Sequence, residues 1–372
     1  MLDFSEIHIH KVPAPAATEL YISAVPKNPV TTQNGIEELF TDIAKVLNDE
    51  QASILEERIF TVNEAIGLIL TERREAYGRI DDGVLPSLLT GRQGRPGILS
   101  GVQVHAVAGS NKPEVLKLDD IPCGRVLKMN RQIYISLSGI TAPEAGEGTH
   151  QARAMLEKGE SVLKQLGAGF MNVPRTWMWL GDILSWYDGF NKVRNQFFAE
   201  RGLIGTGSRQ QMPASTGIGL GLAGEQCGMD LTAVLEEGQT IEFLPVVGRQ
   251  QCALDYGSAF SRASRAGSPA GKTVFVSGTA SIDAKGATTH IGDTQGQINS
   301  TNDNVKAVLR DMSCDDGDVV AAIAYCKSKD IEDVFEAFKS RLKWPWITAV
   351  CDICRDDLLF EIEATAIPRS SR

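Results

Sequence analysis

QARAMLEKGESVLKQLGAGF at 151–170 and QINSTNDNVKAVLRDMSCDD at 297–316 are the two segments whose comparison decides the fold. Each opens on glutamine and keeps apolar residues near helical spacing: Met155, Val162 and Leu166 in one, Val305, Val308 and Leu309 in the other. A strand-like run follows each helix, VPRTWMWL at 173–180 and VVAAIAYC at 319–326. The offset is 146 residues from Gln151 to Gln297 and again 146 from Val173 to Val319, so helix and strand repeat as one block. Upstream, QIYISLSGITA (132–142) faces VFVSGTASI (274–282). Downstream, ILSWYDGFNKVRNQFF faces IEDVFEAFKSRL, MPASTGI (212–218) faces WPWITAV (344–350), and MDLTAVLEE faces LLFEIEATA. Residues of about 125 to 367 thus read as two tandem β, β, α, β, α, β, β units. The fold class is α/β (α+β), with helices packed on one face of a mixed sheet.

Residues 1–120 do not repeat the pattern. GVQVHAVAG at 101–109 is a strand candidate behind the Gly- and Pro-rich GRQGRPG (91–97), and the region is expected to be an N-terminal extension packing on the first unit. That unit takes residues 121–255. YGSAFSRASRAGSPAGK at 256–272 is expected to be a linking loop whose basic residues could instead line a pocket, and the second unit takes 273–372.

The 372 residues suffice for two or three domains, and 42% apolar with 23% charged residues is an ordinary globular balance. A net charge of -10 points away from nucleic acid and anionic membranes as partners. No long uncharged apolar run suggests a membrane span. The opening MLDFSEIHIHKVP lacks a basic segment followed by an apolar one, so no signal peptide is expected. Seven scattered cysteines read as reduced thiols, and the cytoplasm is the expected location.

The second unit resembles a RidA/YjgF domain through VSGTASID, the Gln297 helix start, NVKAVL, IEDVFEAF and LLFEIEATAI. The resemblance implies small-molecule pockets at clefts between subunits and a possible homotrimer. It also implies a carboxylate-binding arginine where this chain has Trp346 and Ile347, so plain imine deamination is not expected of this unit. Over most of its length the chain is similar to a narrower family, the chorismatases. The matching segments are ILSGVQVHAVAG, RTW, MPASTGIG, YGSAFSRA and CRDDLLFEIEAT. That resemblance implies pyruvate release from chorismate, giving a dihydroxycyclohexadienoate or a hydroxybenzoate, with no metal or organic cofactor.

Such a reaction needs a proton donor for the vinyl ether carbon and clamps for two carboxylates. The resemblance places the acid at Glu361, which shares a strand face with Glu363. In a dry pocket Glu361 could stay protonated; on a solvated face both glutamates would be inert. Arginine suits carboxylates because its planar fork donates two hydrogen bonds. Arg175 lies in an apolar strand setting that demands a partner, either ligand or an internal ion pair with Asp182 or Asp188. Arg262 matches a family segment and ranks with it. Arg194 and Arg209 are further candidates, although for Arg194 a solvated helix face is the plainer reading.

Ser215 and Thr216 could donate hydrogen bonds to substrate, or merely shape a tight strand. The following GIGLGLAG lacks the Lys-Ser/Thr of a phosphate loop. Tyr256 and Tyr134 are pocket candidates with hydroxyls, or core. Cys351 and Cys354 form a lone C-x-x-C without a second pair, which argues against zinc; the resemblance places Cys354 in the pocket. His8, His10, His105, His150 and His290 do not cluster. Trp177, Trp179, Trp186, Trp344 and Trp346 read as core or interface. The rival expectations are a non-catalytic oligomer that binds a small acidic metabolite, and an enzyme acting on another enol or imine acid.

Overall fold

Val305, Val308 and Leu309 are all buried, which turns one face of the helix Thr294–Asp311 onto a sheet. That helix starts on Asp293, whose side chain accepts the Gly296 N–H at 2.9 Å. Met155 and Val162 do the same for the helix Gly148–Lys164. Both segments that define the repeat therefore form amphipathic helices, and each lies over its own mixed sheet. The computed structural model describes residues 5–92, 97–205, 210–222, 225–247 and 250–369.

The N-terminal part runs β1 (Ser5–Pro13), β2 (Ala17–Pro26), α1 (Gln33–Asp49), β3 (Ser53–Thr61), α2 (Ile66–Tyr77), β4 (Ser87–Thr90) and β5 (Leu99–Gly109). The middle part runs β6 (Glu114–Leu118), β7 (Ile121–Met129), β8 (Gln132–Ile140), α3 (Gly148–Lys164), β9 (Arg175–Leu180), α4 (Ile183–Glu200), β10 (Ala214–Ile218), β11 (Gly221–Leu222) and β12 (Cys227–Glu236). The C-terminal part runs β13 (Glu242–Leu244), β14 (Ala263–Ser268), β15 (Gly271–Ala280), α5 (Thr294–Asp311), β16 (Val319–Cys326), α6 (Lys329–Lys339), β17 (Trp346–Val350) and β18 (Phe360–Ala366).

The sheets are ordered β6-β7-β8-β12-β9-β10 and β13-β14-β15-β18-β16-β17, one topology used twice. The first sheet, β1-β2-β5-β3-β4, repeats it without the outermost strand and borrows β11 at its end. In each sheet a single pair is parallel: β3/β4, β9/β10 and β16/β17. Residues 5–109, expected as an extension, thus form a third unit of the same kind. The expected linking loop also differs, since Ala263–Ser268 pairs with Gly271–Val276 as a hairpin of the third sheet. We propose unit boundaries near residues 110 and 240.

Each unit has its own core between helices and sheet. The helix-free faces meet one another: Phe60 and Leu89, Trp177 and Trp179, and Phe275, Ile323, Tyr325 and Ile347 form one cluster drawn from all three sheets. Strand register makes the correspondence residue by residue. Phe60 pairs with Gly101, Trp179 with Gly228, and Tyr325 with Glu361. Two residues on, Arg58 pairs with Gln103, Trp177 with Asp230, and Ile323 with Glu363. Glu361 therefore occupies a position that is glycine in the other two units. Among the described residues no helix is long and apolar enough to cross a membrane.

Candidate active site

On β18, Phe360, Ile362 and Ala364 enter the core of the third unit, so strand alternation turns Glu361 and Glu363 to the face shared between units. Both are only 5% exposed, yet their surroundings differ. Glu363 accepts from Arg175 Nη2 at 2.9 Å and from Trp177 Nε1 at 3.0 Å. The Glu361 carboxyl lies against Gly278 of β15, facing a cleft between the second and third units. Burial first, and then the Glu363 charge, push Glu361 up to about 8, against the opposing pull of Arg175 and Arg355. At neutral pH it is an acid in a dry setting.

Three arginines converge on the same cleft. Arg194 on α4 is 1% exposed, donates through Nη2 to Asn191 Oδ1 at 2.6 Å, and has no partner for its Nε. Its guanidinium lies 5.2 Å from the Phe190 ring centre and 5.8 Å from that of Phe260, and burial pulls its pKa below the ordinary arginine value. Arg262 enters from the start of the third unit, donating to the Gln251 carbonyl at 2.9 Å and to the Tyr256 hydroxyl at 2.7 Å. Arg355, just before β18, donates to the Gly286 carbonyl at 2.5 Å and lies 5.5 Å from the Tyr256 ring centre. Among the described residues, none of the three has a carboxylate partner. Buried cations without a counter-charge are costly, so a site holding two of them, with the partly exposed Arg355 beside them, is built for an anion.

Several expected site residues meet here. Glu361, Arg194, Arg262, Ser215, Tyr256 and Cys354 all line the cleft. Burial and the nearby Glu361 push the Cys354 thiol up to about 12, so it stays a thiol. The Ser215 hydroxyl accepts from Thr176 Oγ1 at 3.0 Å, while its N–H donates to Ser277 Oγ at 2.8 Å. Arg194, expected on a solvated helix face, is instead covered by aromatic rings and faces the cleft.

Others stand elsewhere. Arg175 does not line the cleft; its partner is Glu363, in place of the expected Asp182 or Asp188. Thr216 is engaged too, accepting from Arg175 Nη2 at 2.7 Å and from the Gly278 N–H at 3.1 Å. Tyr134 belongs to a separate polar cluster with His105, Glu56 and Arg58 where the three units meet. Arg209 lies outside the described residues. Among the cleft residues that escaped the sequence reading are Arg355 and Tyr187. Arg355 directly follows Cys354 in CRDD, which was the available signal; Tyr187 carried none beyond its hydroxyl. No group of three or more His, Cys, Asp or Glu among the described residues could hold a metal ion.

Comparison with known proteins agrees with this architecture. Residues 253–368 match the family model described as endoribonuclease L-PSP, the family of RidA. The chain is 31% identical over 217 residues to a chorismatase of Streptomyces hygroscopicus, a match covering 52% of this chain and 61% of that protein. The match thus spans less than two thirds of the relative's length. The structure is similar to the crystal structure of a chorismatase, with a TM-score of 0.55 and 21% identity over 75% of this chain and 89% of that one. This likeness shows a shared fold.

Proposed function

We propose that this chain is a chorismatase-like enzyme that releases pyruvate from chorismate. The observation that carries the reading is the meeting in one cleft of a buried Glu361, whose burial favours the acid form, with three arginines that have no carboxylate partner among the described residues. Chorismate is a dianion with an acid-labile enol ether between its carboxylates. A cleft of opposite charge with one proton donor is its complement.

In this reading Arg262, Arg194 and Arg355 hold the two carboxylates, and Glu361 protonates the enolpyruvyl methylene. The methylene becomes a methyl group, and positive charge develops on the ether carbon. Water, or a neighbouring ring hydroxyl, attacks that carbon. With water, a hemiketal forms and a proton returns to the Glu361 carboxylate. Collapse of the hemiketal breaks the bond between that carbon and the ring oxygen. Pyruvate and a dihydroxycyclohexadienoate leave, one water having been consumed. Attack by the ring hydroxyl gives a cyclic ketal instead. One ring C–O bond then breaks as the proton on the neighbouring oxygen-bearing ring carbon leaves, and the ring becomes aromatic. Collapse of the remaining hemiketal releases pyruvate and a hydroxybenzoate with no water consumed. Cys354 and Ser215 lie close enough to the cleft to bear on which route is taken.

The test is enzyme-dependent pyruvate formation from chorismate, followed by coupling to lactate dehydrogenase, with chromatography to name the ring product. No release by folded protein would leave a RidA-like scaffold that binds some other small acid.

A further inference from the structure

The Arg175–Glu363 pair stands directly behind the cleft but has no place in the steps above. It is tied to Glu361 by two routes. Along β18, Glu363 shares the strand face of Glu361 at about 7 Å, two residues away. Across the units, Arg175 Nη2 donates to both Glu363 and Thr216 Oγ1, and that hydroxyl accepts the Gly278 N–H, the glycine on which the Glu361 carboxyl rests. Trp177 Nε1 completes the set by donating to the other oxygen of Glu363. Both partners of Glu363 are donors, which suits a carboxylate and not a carboxylic acid.

Register adds an independent point. Glu363 corresponds to Asp230 and Gln103 in the other units. Asp230 is also fixed by donors, from Ser87 Oγ and the Gly139 N–H, each at 2.7 Å, and from Arg58. There it stands beside Gly228, and the carboxyl it pushes up is Glu56 on a strand of the first unit, not a neighbour on its own strand face. Only in the third unit does a fixed anion share its strand face with a second carboxyl that opens into a cleft.

We propose that Glu363, fixed by Arg175 and Trp177, is a positioning residue that holds a permanent negative charge behind Glu361, so that Glu361 meets its substrate as the acid. This rests on the reading of Glu361 as proton donor. The other groups facing Glu361 are Arg355, Cys351 and Cys354 before β18, Tyr187 and Arg194 on α4, and Tyr256 and Arg262 across the cleft. Of all these, Glu363 is the one fixed carboxylate.

The test needs no substrate. Titration of the Glu361 carboxyl is followed by carbon-13 NMR of protein labelled at glutamate side-chain carboxyls, the resonance being assigned by its loss in Glu361→Gln. Glu363→Gln keeps the side-chain volume and one of the two acceptor oxygens and removes the charge; the Glu361 midpoint is expected to fall by about one to two pH units. Glu363→Asp, which restores the charge, is expected to bring it most of the way back. If Glu363→Gln does not fold, Arg175→Gln supplies the opposite arm: loss of the cation moves the midpoint upward. An unmoved midpoint in a folded charge variant overturns the proposal. Absence of pyruvate release with these shifts intact defeats the chorismate reading alone.

Discussion

The Glu361 carboxyl occupies the space that a side chain on Gly278 would need: its Oε1 lies 2.1 Å from where a Cβ on residue 278 would stand. Thr216 Cγ2 closes the same space from the second unit, at 3.2 Å. The glycine is therefore what lets an acid on β18 lie flat beneath the cleft. Gly278→Ala should displace the carboxyl, because a side chain cannot coexist with an oxygen that close. We expect kcat for pyruvate release to fall on the order of 100-fold, with KM changed much less, since a displaced general acid forfeits its own contribution. Equal kcat in the variant would show that Glu361 need not sit there.

Glu361→Gln keeps the volume and removes the transferable proton. We expect kcat to fall about 10²- to 10⁴-fold while circular dichroism at neutral pH stays native-like and the thermal unfolding midpoint is not lowered. In the wild type the acid must be protonated to work. With its carboxyl pushed up to about 8, turnover should hold through neutral pH and decline as pH rises past about 8. A kcat that climbs steadily between pH 7 and 9 would assign the proton to a different group.

The same group shapes stability. A carboxyl whose folded pKa lies above its unfolded value binds a proton more tightly in the native state. Its contribution is whole below the unfolded value, near 4.5, and is lost as pH rises through about 8. Wild type and Glu361→Gln should therefore converge in stability near pH 4.5, and the variant should gain on the wild type up to about pH 9. The difference at the alkaline end is roughly 3–5 kcal/mol. Denaturant unfolding at a series of pH values checks this, and parallel curves would place Glu361 in water.

Arg194 and Arg262 are buried without carboxylate partners, so their charges should serve binding more than folding. Arg194→Met is expected to raise KM about 10- to 100-fold, the loss of one charge-assisted contact, while leaving the unfolding midpoint equal or higher. Arg175→Met makes the contrast: it strands the Glu363 carboxylate and should destabilise by about 3–5 kcal/mol. If the two variants behave alike in unfolding, the distinction between a ligand-facing and a structural arginine fails.

The repeat in the second and third units was legible because their helices keep apolar spacing and the strands that follow, RTWMWL and VVAAIAYC, are mostly apolar. The first unit hid for a physical reason. Its central strand, SILEERIFT, buries Glu56, Glu57 and Arg58; Glu56 pairs with Arg58 itself, while Arg73 comes from α2 to Glu57 and Asp230 from the second unit to Arg58. Charges satisfied only after folding look, in sequence, like a solvated segment. Arg175 illustrates the same limit: its need for a partner was legible from its apolar neighbours, but the partner stands 188 residues away. Glu361, by contrast, was reached through the family resemblance; alternation added that it shares a face with Glu363, while whether that face was dry or solvated awaited the packing of the units.

The last expectation concerns how many ligands one chain can hold. Three units related by one topology offer three equivalent positions for a cleft, but the residue equivalent to Glu361 is Gly228 in the second unit and Gly101 in the first. Those glycines are overlaid by apolar side chains. Leu222 Cδ2 stands 2.3 Å from where a Cβ on Gly228 would be, and Ile347 Cδ1 stands 3.1 Å from that position on Gly101. A carboxylate ligand entering either would lose its water shell against leucine or isoleucine, with no arginine trio to compensate. Titration calorimetry with an unreactive dicarboxylate analogue of chorismate should accordingly give one site per chain, abolished when Arg194 and Arg262 are both replaced by Met. Two or three equal sites per chain would mean that the filled clefts open, and that the charge of the third-unit cleft is not what selects the ligand.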